Sequence, residues 1–222
     1  TGAVALNTSG STGHALVDNG TTALDIAAST VGGDLTLTSG AAAGITDSGA
    51  VSVAGNLVAT TDANSGVINM GTLEVNGTMA LTTDGTGDAT VVNDDGINFA
   101  NSTVRGALSA TATDGNIIDT GTLTITGAST FITRDAGSNI ELNSSANAFA
   151  AAVTMKADTG GSETFGNIAF VDSEAVKLHT SAGANGDLFI DASTDGVAAV
   201  GGSLSITAKS GNITQSLPVT VG

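Results

Sequence analysis

Carboxylates offer this chain its best chance of chemistry, and four of them crowd into a dozen residues: Asp84, Asp88, Asp94 and Asp95. Their hard oxygens suit calcium. The segment Asp84-Gly85-Thr86-Gly87-Asp88-Ala89-Thr90-Val91 approaches the Gly-Gly-x-Gly-x-Asp-x-apolar turn that clamps Ca2+ between stacked β-coils. The aspartate falls one place early and the unit has no tandem copy. These four are the candidate metal ligands, and calcium is the one cofactor suggested. Paired carboxylates also hydrolyse glycosides when they lie roughly 5–10 Å apart. Sugar sites of that kind lean on aromatic platforms, and the chain has no Trp, no Tyr, and no Lys or Arg near Asp94. No catalytic residue is assigned, and no enzyme is expected.

Other chemistries find less support. His14 and His179 stand far apart with no Cys to help them, so a zinc site is not expected. A Gly-x-Ser-x-Gly elbow, a P-loop and a dinucleotide fingerprint are all missing. The formal charge is −16, and Arg105, Arg134, Lys156, Lys177 and Lys209 are scattered, which argues against nucleic acid and anionic membranes as partners. No apolar run approaches the ~18 residues of a membrane span, despite a mean hydropathy of +0.28. Asn-x-Ser/Thr sequons begin at Asn7, Asn19, Asn76, Asn101, Asn143 and Asn212, at a density that composition explains. Threonine pairs such as Thr36 and Thr38 raise ice binding, but Thr36, Val58, Ala80 and Ser109 break the second column it needs.

The elements that must position these residues are written in a repeat. Gly33-Asp34-Leu35 through Ala54 overlays Gly55-Asn56-Leu57 through Asn76 at an offset of 22 residues. Leu35 answers Leu57, Ile45 answers Val67, Asp47 answers Asn69, and Val51 answers Leu73. Leu24 to Val31 also matches Ile97 to Val104, 73 residues on, which reads as a larger unit of about three coils. A period of this size, with short apolar alternations broken by glycine, marks an all-β stack of coils. The 31 Gly and the scarcity of aromatics (6 Phe) fit a narrow interior filled by Val, Ile, Leu and Ala.

Alternation then predicts which side chains face inward. Leu35, Leu57, Met79 and Leu108 are expected in one interior column, and Ile45, Val67, Ile117 and Ile213 in another. Thr38, Thr60, Thr82, Thr111 and Thr207 are expected to form an outer ladder. Roughly nine coils at about 4.8 Å give a rod on the order of 45 Å long.

Ser29-Thr30-Val31-Gly32-Gly33-Asp34-Leu35-Thr36-Leu37-Thr38, Gly44-Ile45-Thr46-Asp47-Ser48-Gly49 and Ser210-Gly211-Asn212-Ile213-Thr214-Gln215-Ser216 resemble repeats of large bacterial filamentous-haemagglutinin-type surface proteins. The resemblance implies a right-handed parallel β-helix of about 22 residues per short coil, with longer-looped coils between. It also implies export across a Gram-negative outer membrane and display as an adhesin, stalk or fibre. Val4-Ala5-Leu6-Asn7-Thr8 looks like Met79-Ala80-Leu81-Thr82-Thr83, and the far end stops in full repeat. Residues 1–222 are therefore expected to be a single solenoid domain and a window of a longer repetitive chain. The expected function is an extracellular structural or adhesive solenoid. Its expected partners are itself, stacked head to tail or continued in the same chain, and a host or cell-surface glycan. The alternative is a carbohydrate- or calcium-binding module on the same scaffold.

Overall fold

The computed structural model describes residues 2–157, 166–173, 176–179, 187–190, 199–200, 203–215 and 220–221. Its strands pair in parallel and fall into two 12-stranded sheets and a two-stranded one, with no helix among the described residues. The chain crosses one sheet, turns a corner, crosses the other and returns one coil higher. Leu24, Ile45, Ile68, Ala89, Leu108, Ser129 and Val153 stack in register up the second sheet, closing six coils of a β-solenoid. Ala15, Leu35, Leu57, Met79 and Phe99 stack up the first.

Each crossing is an arm, and arms come in two kinds. Straight arms are five-residue strands, Leu35–Ser39, Leu57–Thr61 and Thr78–Thr82, whose apolar residues alternate inward. Hydroxyls at their ends tie the following corner. Thr61 Oγ1 donates to the Gly66 carbonyl at 2.7 Å, and Thr83 Oγ1 donates to that of Gly87 at 2.7 Å. Broken arms are two short strands with a bend between them, as in Leu24–Ile26 with Ser29–Val31, or Ile97–Phe99 with Ser102–Val104. One serine governs the bend in each of these two arms. Ser29 Oγ donates to the Ala27 carbonyl at 2.8 Å and accepts from the Leu6 amide at 2.9 Å. Ser102 Oγ does the same with the Ala100 carbonyl at 3.0 Å and the Leu81 amide at 3.1 Å. Conserving that bonding pattern is what makes the two segments look alike at 73 residues' distance.

Those two segments nevertheless lie on opposite sheets. Broken arms begin at Leu24 and Ile45 on the second sheet, where the third of the set, Ile68–Val75, is one eight-residue strand paired with both halves of the arm below, and then at Ile97, Ile117 and Ile140 on the first. Between them sits one additional straight arm, Ala89–Asn93, and a three-residue corner, 94–96. These eight residues are half a coil. The 73-residue unit is thus three and a half coils, not the three expected, and everything after residue 96 is turned to the other side.

Several expected columns change for this reason. Leu108 and Thr111 belong to the second sheet, paired with Ala89 and Val92, so neither joins the columns of Leu35 and Thr38. Ile117 belongs to the first sheet, between Ile97 and Ile140. Thr38, Thr60 and Thr82 do stack, and the ladder continues through Thr103 and Thr124 instead. Thr207 pairs with Val171. Ile45 pairs with Ile68 rather than Val67, because the bend after Asp47 is one residue longer than its counterpart after Met70. Ile213 begins a strand of the second sheet but is 49% exposed.

The interior also holds aromatics that composition did not suggest. Phe99, Phe131, Phe149 and Phe170 form a chain of rings with successive centroids 6.1, 6.1 and 5.1 Å apart. The first two contacts are edge-on, the geometry that the ring quadrupole favours.

Candidate functional site

The corner residues carry most of the exposed polar groups, and the four candidate aspartates sit at corners. Asp84 and Asp88 lie between Thr78–Thr82 and Ala89–Asn93, at one edge of the solenoid. Asp94 and Asp95 follow that second strand, at the other edge. A fully extended strand rises about 3.3 Å per residue, so Asp88 and Asp94 stand roughly 20 Å apart. Asp94 and Asp95 open into different hollows, the first beside Glu74 and Thr113, the second beside Asn76, Asn98 and Asn116. Asp88 Oδ1 accepts the Ala107 amide at 2.7 Å. The expected gathering of all four around one ion is therefore not made, since a strand separates the pairs. Among the described residues no three His, Asp or Glu side chains converge.

Instead, corner side chains bond to the backbone of the next coil. Asp34 Oδ1 accepts from the Asn56 amide at 2.8 Å, and Asn56 Oδ1 accepts from Thr78 at 2.8 Å. After the half coil the pattern resumes. Asn116 Oδ1 accepts from Asn139 at 2.7 Å, Asn139 from Asn167 at 2.7 Å, and Asn167 from Ser203 at 2.8 Å. In every case the acceptor immediately precedes the first inward apolar residue of an arm. Sequence reading saw these residues only as turn punctuation; an Asp or Asn before Leu or Ile in successive coils was the available signal. His14 is a rung as well. Its Nδ1 accepts the Asp34 amide at 2.9 Å, which places the ring proton on Nε2, and lies 3.3 Å from Asp34 Oδ2. His179 lies in the strand Val176–His179.

Buried polar groups complete the pattern. Asn93 is fully buried. The Val75 amide donates to its Oδ1 at 2.8 Å, and its Nδ2 donates to the Val75 carbonyl at 3.1 Å and to that of Gly96 at 2.7 Å. The side-chain amide thus pairs with Val75 as a strand residue would, where the long arm Ile68–Val75 meets a shorter one. Asp119, 8% exposed, accepts from the Asn143 amide at 2.9 Å and from Asn147 Nδ2 at 2.6 Å, while Asn147 Oδ1 accepts from Leu123 at 2.9 Å. Asp47 holds the next coil's bend likewise, accepting from the Gly71 and Thr72 amides at 2.9 and 2.7 Å. Such charge-assisted bonds are stronger than neutral ones. They lock coil to coil, and they leave these carboxylates engaged with backbone.

A family model described as repeats of unknown function, DUF5649, matches residues 12–68 and 86–156. The chain belongs to the DUF5649 repeat family. The two matched stretches start 74 residues apart, close to the 73-residue unit; the second spans one three-and-a-half-coil module and the first, which ends at Ile68, about two and a half coils of the preceding one. The second begins just before the half coil and carries its broken arms on the opposite sheet from the first. No curated protein and no solved structure matches the chain.

Proposed function

We propose that this chain is part of an extracellular structural or adhesive solenoid, forming a shaft, stalk or fibre on a bacterial surface. The observation that carries the reading is the directional bonding between coils. Backbone ladders and the Asp/Asn rungs both run from each coil to the next, and each coil presents upward what it receives from below. A heterologous contact of this kind does not close, and it generates length. Membership of a repeat family supports the same role. The motif likeness to filamentous-haemagglutinin-type repeats supports export across a Gram-negative outer membrane, with a host or cell-surface glycan as the adhesive target. The partners of the shaft itself are further coils, supplied by the same chain or by another copy. The work proposed is mechanical rather than catalytic.

Electron microscopy of native material, before and after EDTA, tests this. Fibres much longer than one rod are expected, and they should survive EDTA. Short discrete particles would overturn the shaft. Fibres that dissolve in EDTA would move the assignment to a calcium-dependent module.

A further inference from the structure

The bends of the broken arms leave a furrow along the second sheet. Two hollows of about 500 and 300 Å3 adjoin at Ala50 and together run from Ala5 and Leu6, past Ala28, to Glu74 and Asp94. The residues are in step along the axis. The Thr30 amide donates to the Leu6 carbonyl at 2.9 Å, that of Ser29 to Ala50 at 2.9 Å, and that of Asp94 to Leu73 at 2.8 Å. Ala5, Ala28 and Ala50 line one end in a row beside Asn7, Thr30 and Ser52, and two exposed carboxylates line the other. No Lys, Arg or His lines either hollow, so Glu74 and Asp94 have no cationic neighbour there. Arg134 is the nearest cation on that edge, two coils beyond Asp94.

We propose that this furrow docks an extended polypeptide segment, aliphatic along most of its length and bearing lysine or arginine where it meets Glu74 and Asp94. The furrow spans four coil spacings, roughly 19 Å, which about six extended residues cover. Its row of alanine methyls accepts aliphatic side chains, the neighbouring Asn7, Thr30 and Ser52 can bond to an extended backbone, and the lining has no ring face of the sort sugars stack on. Charge complementarity fixes the direction, since an ammonium or guanidinium beside two uncompensated carboxylates is favoured at one end only. This inference stands apart from the shaft reading, because the furrow lies on one chain whether or not chains polymerise.

The test is fluorescence anisotropy with a labelled heptapeptide of alternating alanine and leucine ending in two lysines, against the whole chain. Saturable binding is expected. Ala50→Trp, which plugs the middle, and Glu74→Gln with Asp94→Asn, which removes the charge, should each weaken it at least tenfold. Asp18→Asn with Asp62→Asn removes the same charge elsewhere and should change it less than twofold. Circular dichroism checks that each variant is folded. Absence of binding, equal losses in both charge-removing pairs, or equal binding of a peptide ending in two glutamates would each overturn the proposal. So would a neutral glucan oligosaccharide that binds in an Ala50→Trp-sensitive way while the peptide does not.

Discussion

Asn93 does more for this fold than its single side chain suggests. It sits where a long arm is succeeded by a short one, and its amide satisfies both backbone groups of Val75 inside the tube. Leaving a buried backbone donor or acceptor unpaired costs about 1–3 kcal/mol each. Asn93→Leu, similar in volume, should therefore lower stability by about 2–5 kcal/mol in urea unfolding; a loss under about 1 kcal/mol would mean that Val75 finds other partners. Ser129 is the opposite case. Its Oγ is buried without a partner, in a column between Leu108 and Val153. Ser129→Ala should be neutral or stabilising by about 1 kcal/mol, because a desolvated hydroxyl is removed and no bond is lost. Clear destabilisation in the same assay would show that the hydroxyl has a role the bonding pattern does not reveal.

At the scale of the arm, the eight residues 89–96 decide which sheet receives everything that follows. Deleting them should give a folded protein in which Ile97–Phe99 and Ser102–Val104 continue the broken arms of the second sheet. Leu108 would then stack on Met79 and Thr111 on Thr82. The chain has no Cys, so introduced pairs report this cleanly. Thr82→Cys with Thr103→Cys should oxidise in the parent, where the two are in register. Thr82→Cys with Thr111→Cys should oxidise only in the deletion variant, since adjacent strands lie within disulfide reach. Cross-linking in the reverse pattern would refute the half-coil account.

The same segment marks the limit of what could be read in advance. Strand positions, inward residues and the coil period were legible, because alternation and glycine-marked corners are local. The threonine ladder from Thr38 to Thr82 was legible for the same reason. The side of the tube was not. An arm of either sheet carries the same alternation, so Ala89–Asn93 gives no sign that it is an additional crossing. The candidate site suffered likewise: Asp88 and Asp94 are neighbours in sequence, and only the extended strand between them sends them to opposite edges. The rings of Phe99, Phe131, Phe149 and Phe170 were missed because they come from both sheets, and no spacing along one strand links them.

For the molecule as a whole, the charge of −16 is the dominant long-range term. Exposed carboxylates lie on both edges and both faces, and 5 Lys and Arg stand against 21 Asp and Glu. Self-repulsion of this kind keeps a β-rich body dispersed but weakens the compact state. Raising NaCl from about 10 mM to about 1 M shortens the Debye length from ~30 to ~3 Å. The Tm should rise with it, at about 2–4 °C for each kcal/mol of repulsion relieved. A Tm that falls or stays level in NaCl would mean that the carboxylates gain more from local bonds than they lose to one another.

A unit of three and a half coils has a parity. Two successive copies bring a motif back to the side on which it started, whereas one copy leaves it reversed. If such genes lengthen or shorten by whole copies, a single duplication would rotate every later residue by half a revolution around the rod, and a double one would restore it. Any partner that grips one side across the joint would reject the first change and accept the second. Inheritance of length in this family would then favour even steps wherever such a partner exists, and be indifferent where none does.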